Sequence, residues 1–235
     1  MGTLAEMLST PLGVIEWFVY LLAAVMFVIG LHLMNSPKTA RKGNMVSAIG
    51  MVFAVAMAFI VLFAGEASNG FKHGVAVIVL IVGIVIGAVA GVVSAKKVKM
   101  TDMPQLVSVF NTVGGGAAAL VALNAILTSA ETPSIVVLIT AGLGIMIGSV
   151  TFSGSLIAAG KLQGIKWVKK LSLPGKGFWN ILFVVLTIVS FVMLCVQPNQ
   201  RLLWSILTTV FALCYGLVFV IPIGGADMPV VISVL

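Results

Sequence analysis

Long apolar stretches dominate the pattern of hydrophobic and polar positions along this chain. Each stretch lacks interior charge and is long enough to cross about 30 Å of hydrocarbon as an α-helix. The pattern predicts seven complete spans, at residues 14–34, 43–64, 71–95, 104–128, 134–160, 178–197 and 202–222. An eighth begins at Pro229, and from there to Leu235 the chain can form only about 10 Å of helix. We therefore expect residues 1–235 to be a transmembrane domain that is truncated in its eighth helix.

The composition supports this interpretation and excludes a soluble enzyme domain. Hydrophobic residues make up 61% of the chain and charged residues only 8%, which is outside the range of soluble globular domains. The predicted fold class is all-α, a polytopic transmembrane helical bundle whose solvent is the lipid bilayer.

The formal net charge of +7 indicates membrane topology rather than binding to nucleic acid. The basic residues form no continuous stripe, because they are confined to short loops between apolar spans. Eleven of the 13 Lys and Arg residues belong to three of these loops, namely Lys38, Arg41, Lys42, Lys96, Lys97, Lys99, Lys161, Lys166, Lys169, Lys170 and Lys176. The positive-inside rule places these three loops in the cytoplasm and the N-terminus outside.

The cysteines and histidines give little indication of a metal site. Cys195 and Cys214 lie within predicted spans and belong to no CxxC motif or Cys/His cluster. His32 and His73 lie at the ends of spans, where a histidine is usually solvated or faces lipid headgroups. We therefore predict no metal ligands, and we expect the cysteines to be small packing residues.

One face of the fourth span is unusually polar for a membrane helix. Ser108, Asn111, Thr112 and Gly115 follow the i, i+3, i+4, i+7 spacing that puts side chains on one side of a helix. A carboxamide at Asn111, about 10 Å into the hydrocarbon, would have no hydrogen-bonding partner in lipid. We therefore expect this face to point into the bundle.

The fifth span offers a matching surface of small and hydroxyl residues. Gly144, Gly148, Thr151 and Ser155 share one helix face, and small residues let helix backbones approach closely. Gly83, Gly87 and Gly91 make a similar face on the third span. The polar surfaces of the fourth and fifth spans predict either a wet pathway between the helices or an interhelical hydrogen-bond clamp, and spacing alone does not decide between them.

A short repeat opens the fourth and eighth spans, both on the predicted cytoplasmic side. Asp102 and Asp227 are each followed by Met and Pro. Asp is a favoured N-cap and Pro is tolerated in the first turn, so a pair of well-formed helix starts is one explanation. That explanation does not account for the polar face that follows Asp102 on the fourth span.

Four sequence blocks resemble a known family. They are KMTDMPQLV at 99–107, VGGGAA at 113–118, VTFSGSLIA at 150–158 with GKL at 160–162, and IGGADMPVV at 223–231. Together they resemble the membrane domain of the beta subunit of proton-translocating NAD(P) transhydrogenase.

This resemblance implies that soluble domains pass hydride from NADH to NADP⁺ while protons move inward through the membrane part. It implies that this chain binds no cofactor itself, because the NADP(H) domain follows the spans of the same subunit and the NAD(H) domain belongs to the alpha subunit. No G-x-G-x-x-G motif occurs here. The implied partners are those two domains and the alpha-subunit membrane helices, in a dimer of alpha–beta units in the cell inner membrane.

The resemblance also assigns roles to residues. Asn111 stands where the family commonly has a proton-relaying histidine, and a carboxamide does not titrate. We therefore expect the histidine to lie on an alpha-subunit helix, with Asn111, Ser108, Thr112, Thr151 and Ser155 along the proton pathway. Asp227 matches the family's acid at the cytoplasmic mouth, preceded by Gly224 and Gly225, and Asp102 is its counterpart in the repeat.

Two other classes of protein fit the same pattern less well. A secondary transporter or channel subunit can also have a glycine-rich polar core, but no charged residue lies in mid-span here as a substrate site. A packing scaffold for other subunits would need no pathway. A nucleotide-binding domain in the full reading frame would favour the transhydrogenase.

Overall fold

The structure is a computed structural model of the chain, and it describes residues 10–64, 70–128, 133–166, 168, 175–224 and 227–235. Its long helices are α1 (Pro11–Met34), α2 (Ala40–Ala64), α3 (Gly70–Lys97), α4 (Met103–Leu127), α5 (Ile135–Leu162), α6 (Lys176–Val196) and α7 (Arg201–Val220), followed by the short α8 (Met228–Val234). All seven long helices have the length and hydropathy of membrane spans. The predicted all-α, polytopic helical bundle is confirmed.

The chain divides into two compact units, Met1–Gly91 and Val92–Leu235. In the first unit, α1 and α2 form an antiparallel hairpin with backbones in close contact. An added Cβ at Gly43 would lie 2.6 Å from the Gly30 carbonyl oxygen, and one at Gly50 would lie 3.3 Å from the Ala23 carbonyl oxygen. Gly43 therefore lets the backbones of α1 and α2 lie closer together than any larger residue would permit.

The second unit is built around α5, whose sides contact α4, α6 and α7. Helix α4 runs antiparallel to α5, while α7 runs parallel to it. Small residues line the contacts, because α5 carries buried Gly142, Gly148, Ser149, Ser153 and Gly154. An added Cβ at Gly216 of α7 would lie 2.5 Å from the Val150 carbonyl oxygen. Most large apolar side chains remain exposed, as expected where lipid is the solvent.

The ends of the helices follow local sequence rules. Thr10 caps α1, since its Oγ1 accepts a 3.1 Å hydrogen bond from the Gly13 nitrogen, and Ser134 caps α5 through Val137. Gly164, with φ +75°, ends α5. Its nitrogen donates to the Lys161 carbonyl oxygen and the Ile165 nitrogen donates to that of Gly160, the pattern of a Schellman motif. Helix α5 consequently extends to Leu162, two residues beyond the predicted span end.

The two aspartates of the repeat do not cap their helices as the sequence suggested. Asp102 and Asp227 occupy the N-cap positions of α4 and α8, but neither side chain accepts a hydrogen bond from a helix nitrogen. Their backbones have ψ near zero, at 1° and −3°, instead of the extended conformation that aims an N-cap side chain at the first turn. The capping explanation is therefore wrong for both residues.

Candidate functional site

A polar seam joins α4 to α5, and we define it by Ser108, Asn111 and Ser155. The Ser108 hydroxyl donates a 2.7 Å hydrogen bond to the Ser155 carbonyl oxygen, and Asn111 Nδ2 donates one of 2.9 Å to Ser155 Oγ. Both serines are fully buried and Asn111 is half-buried. Val113, by contrast, is 65% exposed. The carboxamide of Asn111 thus faces α5 and not the lipid side of α4.

Two threonines extend the hydrogen bonding around the polar seam. Thr112 Oγ1 donates to the Ser108 carbonyl oxygen at 2.9 Å, within α4. Thr151 Oγ1, on α5, donates to the Leu235 carbonyl oxygen at 2.6 Å, so it connects α5 to the end of α8. Both threonines are only 6% exposed. The five residues predicted for the pathway therefore lie along the contact between α4 and α5, with Thr151 also reaching α8.

The backbones of α4 and α5 touch directly beside the polar seam. An added Cβ at Gly148 would lie 2.6 Å from both the Ala119 nitrogen and the Gly115 carbonyl oxygen. The Gly115 position is equally closed, with Thr151 Cγ2 2.7 Å away. The predicted close packing of Gly148 is confirmed, whereas Gly83, Gly87 and Gly91 have no atom within 4 Å of an added Cβ in the part of the chain that the structure describes.

The polar seam can pass hydrogen bonds between helices, yet none of its three side chains titrates in the physiological range. Serine hydroxyls donate and accept at the same time, and the Asn111 carboxamide donates and accepts without changing charge. The Thr112 bond to its own helix is a common way to satisfy a hydroxyl in an apolar setting. This geometry fits a pathway that orients water, and it also fits a clamp, so the roles of these residues stay predictions.

Gln105 extends the polar surface by one turn, and the sequence reasoning missed it. Its Nε2 donates a 3.1 Å hydrogen bond to the Leu162 carbonyl oxygen at the end of α5. Gln105 also lines an open cleft with Val98, Asp102, Leu106, Val109 and Gln163. Helical spacing could have identified Gln105 from the sequence, because it precedes Ser108 by three residues and so shares its helix face. Asp102 is exposed at this cleft.

Lys161 lies inside the protein and not in a loop, so its assignment as a loop cation is wrong. It belongs to the last turn of α5 and is only 7% exposed. Its Nζ donates to the carbonyl oxygens of Val220 at 3.1 Å and Ile223 at 2.8 Å, and also to that of Ile221. The sequence placed Lys161 beyond the span because it is charged, but Gly164 shows where the helix ends.

The predicted gate lies at the turn between α7 and α8. Asp227 is exposed, and its backbone nitrogen donates to the Gly224 carbonyl oxygen at 3.2 Å. Gly224 is exposed, and an added Cβ there would meet no atom within 4 Å. Gly225 lies outside the described residues. Asp102, the counterpart in the repeat, is exposed and accepts a 3.3 Å hydrogen bond from Thr101 Oγ1.

A second group of buried hydroxyls joins α6 to α7 and was not predicted. Thr208 Oγ1 lies 3.1 Å from Ser190 Oγ, and the Ser190 hydroxyl donates to the Thr187 carbonyl oxygen at 3.0 Å. Thr187, Ser190, Ser205 and Thr208 are all at most 2% exposed. Each helix carries its two hydroxyls three residues apart, a spacing that could have revealed the pair of faces. Every hydroxyl of this group is satisfied within the bundle, as in a packing contact.

Comparison with known proteins gives consistent matches along the chain. A family model described as "NAD(P) transhydrogenase beta subunit" matches residues 16–235. A protein named NAD(P) transhydrogenase subunit beta, from Rhodospirillum rubrum, is 37% identical over 223 residues, which covers 92% of this chain and 46% of the relative. A second sequence of that name, from a strain of the same organism, matches equally. This chain therefore spans about half the length of the curated relatives it matches.

Proposed function

The chain belongs to the NAD(P) transhydrogenase beta subunit family, and we propose that it couples inward proton movement to hydride transfer from NADH to NADP⁺. It forms the membrane part of that enzyme. The observation that carries this proposal is the polar seam, where Ser108 and Asn111 both bond to Ser155. Unlike the small hydroxyls between α6 and α7, the seam contains a carboxamide, and such a group is costly within a membrane span and commonly has a functional role.

The polar seam orients water along the α4–α5 contact in this proposal. The Asn111 carboxamide is held in place by its hydrogen bond to Ser155 Oγ, and its charge does not change with pH. Thr112 and Thr151 provide further hydroxyls along the same helices. The group that accepts and releases the proton is a histidine on an alpha-subunit membrane helix, because the chain has Asn at the matching position.

Asp227 acts as the charged group of the cytoplasmic gate. Its exposed carboxylate is not engaged in capping α8, so it is available to a domain that docks on this face. The turn that carries it begins at Gly224, whose backbone is less restricted than that of other residues. A change in the charge near Asp227 would then bias a two-state contact between the membrane part and the docked domain. Asp102 contributes in the same way at the start of α4.

The nucleotides and the hydride-transfer site belong to other parts of the complete enzyme. The NADP(H) domain continues from this chain, and the NAD(H) domain and the additional membrane helices come from the alpha subunit. The length of the relatives supports this division, since this chain covers 46% of the first of them. We further propose a dimer of alpha–beta units in the cell inner membrane with the N-terminus outside, which the distribution of Lys and Arg supports.

The test uses the complete complex in sealed vesicles, with hydride transfer and proton uptake measured in the same preparation. Asn111→Leu keeps a similar volume but removes the hydrogen-bonding group of the polar seam. Asn124→Leu is the matched control, because Asn124 is exposed near the other end of α4. We expect Asn111→Leu to lower proton-coupled hydride transfer and Asn124→Leu to leave it unchanged.

Either of two results would contradict the proposal. Wild-type complex whose hydride transfer moves no protons would remove the coupling function altogether. Unchanged coupling in Asn111→Leu would assign the polar seam to an interhelical clamp. A further variant, Asn111→His, addresses the missing histidine. If Asn111→His restored coupling in a complex that lacks the alpha-subunit histidine, this would support the proposal that the alpha subunit supplies the histidine that other members carry at this position.

A further inference from the structure

Lys161 combines deep burial with a positive charge inside the membrane bundle. It is 7% exposed, and three carbonyl oxygens accept hydrogen bonds from its Nζ. An ammonium group loses a large hydration free energy when it leaves water, so burial requires several well-placed acceptors. All three acceptors are backbone atoms of residues 220–223. These contacts attach the end of α5 to the end of α7 and to the residues that follow it.

The position of Lys161 is set by how α5 ends. The Schellman motif at Gly164 closes the last turn of the helix, with the Lys161 carbonyl oxygen as one of its acceptors. Val168 packs on Gly160, with its Cγ2 3.2 Å from where a Cβ would lie. The surrounding apolar cluster includes Ile157, Ala158 and Val168. The stem of Lys161 thus emerges from a fixed helix end.

The segment that receives Lys161 is the end of α7 and the start of the turn toward Asp227. The final carbonyl groups of a helix have no intrahelical partner and carry the negative end of its dipole, so a cation is stabilising there. Ile221 and Ile223 lie just before Gly224, and Met228 and Ile232 of α8 pack in the same apolar cluster as Val220. One ammonium group therefore ties the end of α5 to the end of α7 and to Ile221 and Ile223 in the turn that follows.

We propose that Lys161 is a positioning residue for the gate, whose charge holds the 220–223 segment so that Asp227 is presented in a fixed place to the docking domain. This inference rests on the proposed function of Asp227. Methionine at this position would replace the apolar stem but remove the ammonium donor from all three carbonyl groups, so the segment would lose its attachment to α5 while the apolar cluster remained filled. Arginine would keep the charge and the donors.

The first experiment measures amide hydrogen exchange over residues 221–227 in the membrane-embedded full complex. Ile221, Ile223 and Asp227 donate backbone hydrogen bonds to Leu217, Val220 and Gly224, so their exchange rates report the order of this segment. We expect Lys161→Met to speed exchange there at least about tenfold, because tenfold is the effect of losing one charge-assisted hydrogen bond and this variant loses three. Lys161→Arg should stay near wild type, as should Lys166→Met, which removes an exposed lysine four residues after the helix ends. Unchanged exchange in Lys161→Met would overturn the proposal, whatever the complex does with protons.

The second experiment compares hydride transfer driven by a proton gradient with the rate after an uncoupler is added. We expect the ratio of the two rates to fall about tenfold in Lys161→Met and to be restored by Lys161→Arg. A purely structural role would lower both rates together with assembly and leave their ratio unchanged, which would overturn the proposal. If the hydride-transfer rate of the wild-type complex did not depend on the proton gradient, the proposed function would be refuted instead. The hydrogen-exchange experiment would still test whether Lys161 holds residues 220–223.

Discussion

The hydrogen bond between Asn111 and Ser155 gives a quantitative test of the polar seam. We would replace Asn111 by Leu, Ser155 by Ala, and both together. Ser155→Ala removes the hydroxyl that accepts from Asn111 Nδ2 at 2.9 Å. It leaves the bond from Ser108 intact, because that bond ends on the Ser155 backbone carbonyl oxygen. The cycle therefore isolates a single interhelical hydrogen bond.

The expected coupling free energy follows from the setting of this bond. Interhelical hydrogen bonds in membranes contribute about 0.6 kcal/mol on average and up to about 1.7 kcal/mol. We expect the upper half of that range, because Ser155 is fully buried and its hydroxyl loses its donor when Asn111 is replaced. The double variant should then be less destabilised than the sum of the single variants, by about 1 kcal/mol.

The assay is thermal or denaturant unfolding of the purified complex in detergent micelles, followed by coupled hydride transfer in vesicles. If the seam guides protons, both single variants lose more coupled rate than their loss of stability explains. The double variant then loses no more rate than the worse single one. A coupling free energy within about 0.3 kcal/mol of zero would refute the inferred hydrogen bond. Loss of rate that only follows loss of stability would refute the pathway.

Three further predictions test the gate, the packing and the topology. Asp227→Asn should lower coupled hydride transfer in vesicles about tenfold and change the stability of the complex by less than about 0.5 kcal/mol. Asp102→Asn should have a smaller effect on hydride transfer. Wild-type coupling in Asp227→Asn would show that Asp227 is not the gate. In α4, Gly115→Ala should make the purified complex less stable than Gly114→Ala by about 1–3 kcal/mol. Of these two positions, only Gly115 would place the added methyl group against α5. Equal stabilities of the two variants would contradict the close contact. Lys166→Cys should react with impermeant thiol reagents from the cytoplasmic side, and labelling from the periplasmic side alone would reverse the predicted topology.

The sequence alone predicted most residues of the polar seam. Asn111 had to face the bundle, because lipid cannot accept or donate a hydrogen bond, and helical spacing placed Ser108 on the same face. The spacing also identified Ser155 on the neighbouring helix. What it could not identify was which atoms pair, because Ser108 bonds to the backbone of Ser155 while Asn111 bonds to its side chain.

The aspartates and Lys161 show why other expectations failed. Asp-Met-Pro is a favourable helix start by composition, yet capping depends on ψ of the aspartate, and that angle is set by the turn before it. Lys161 was assigned to a loop because a lysine in hydrocarbon is costly. That cost is offset by carbonyl groups about 60 residues away in sequence, and no local pattern indicates such a partner.

The sequence by itself determined the all-α class and, within the residues that the structure describes, the number of long spans and their bounds to within a few residues. These depend on hydrophobic length and on the need of every backbone group in lipid to bond within its own segment. The tertiary structure decided the parallel contact of α5 with α7, the partners of each hydroxyl and the burial of Lys161. Those features depend on which helices meet and on where the ends of different helices come together, and the hydrophobic pattern is the same for any such arrangement.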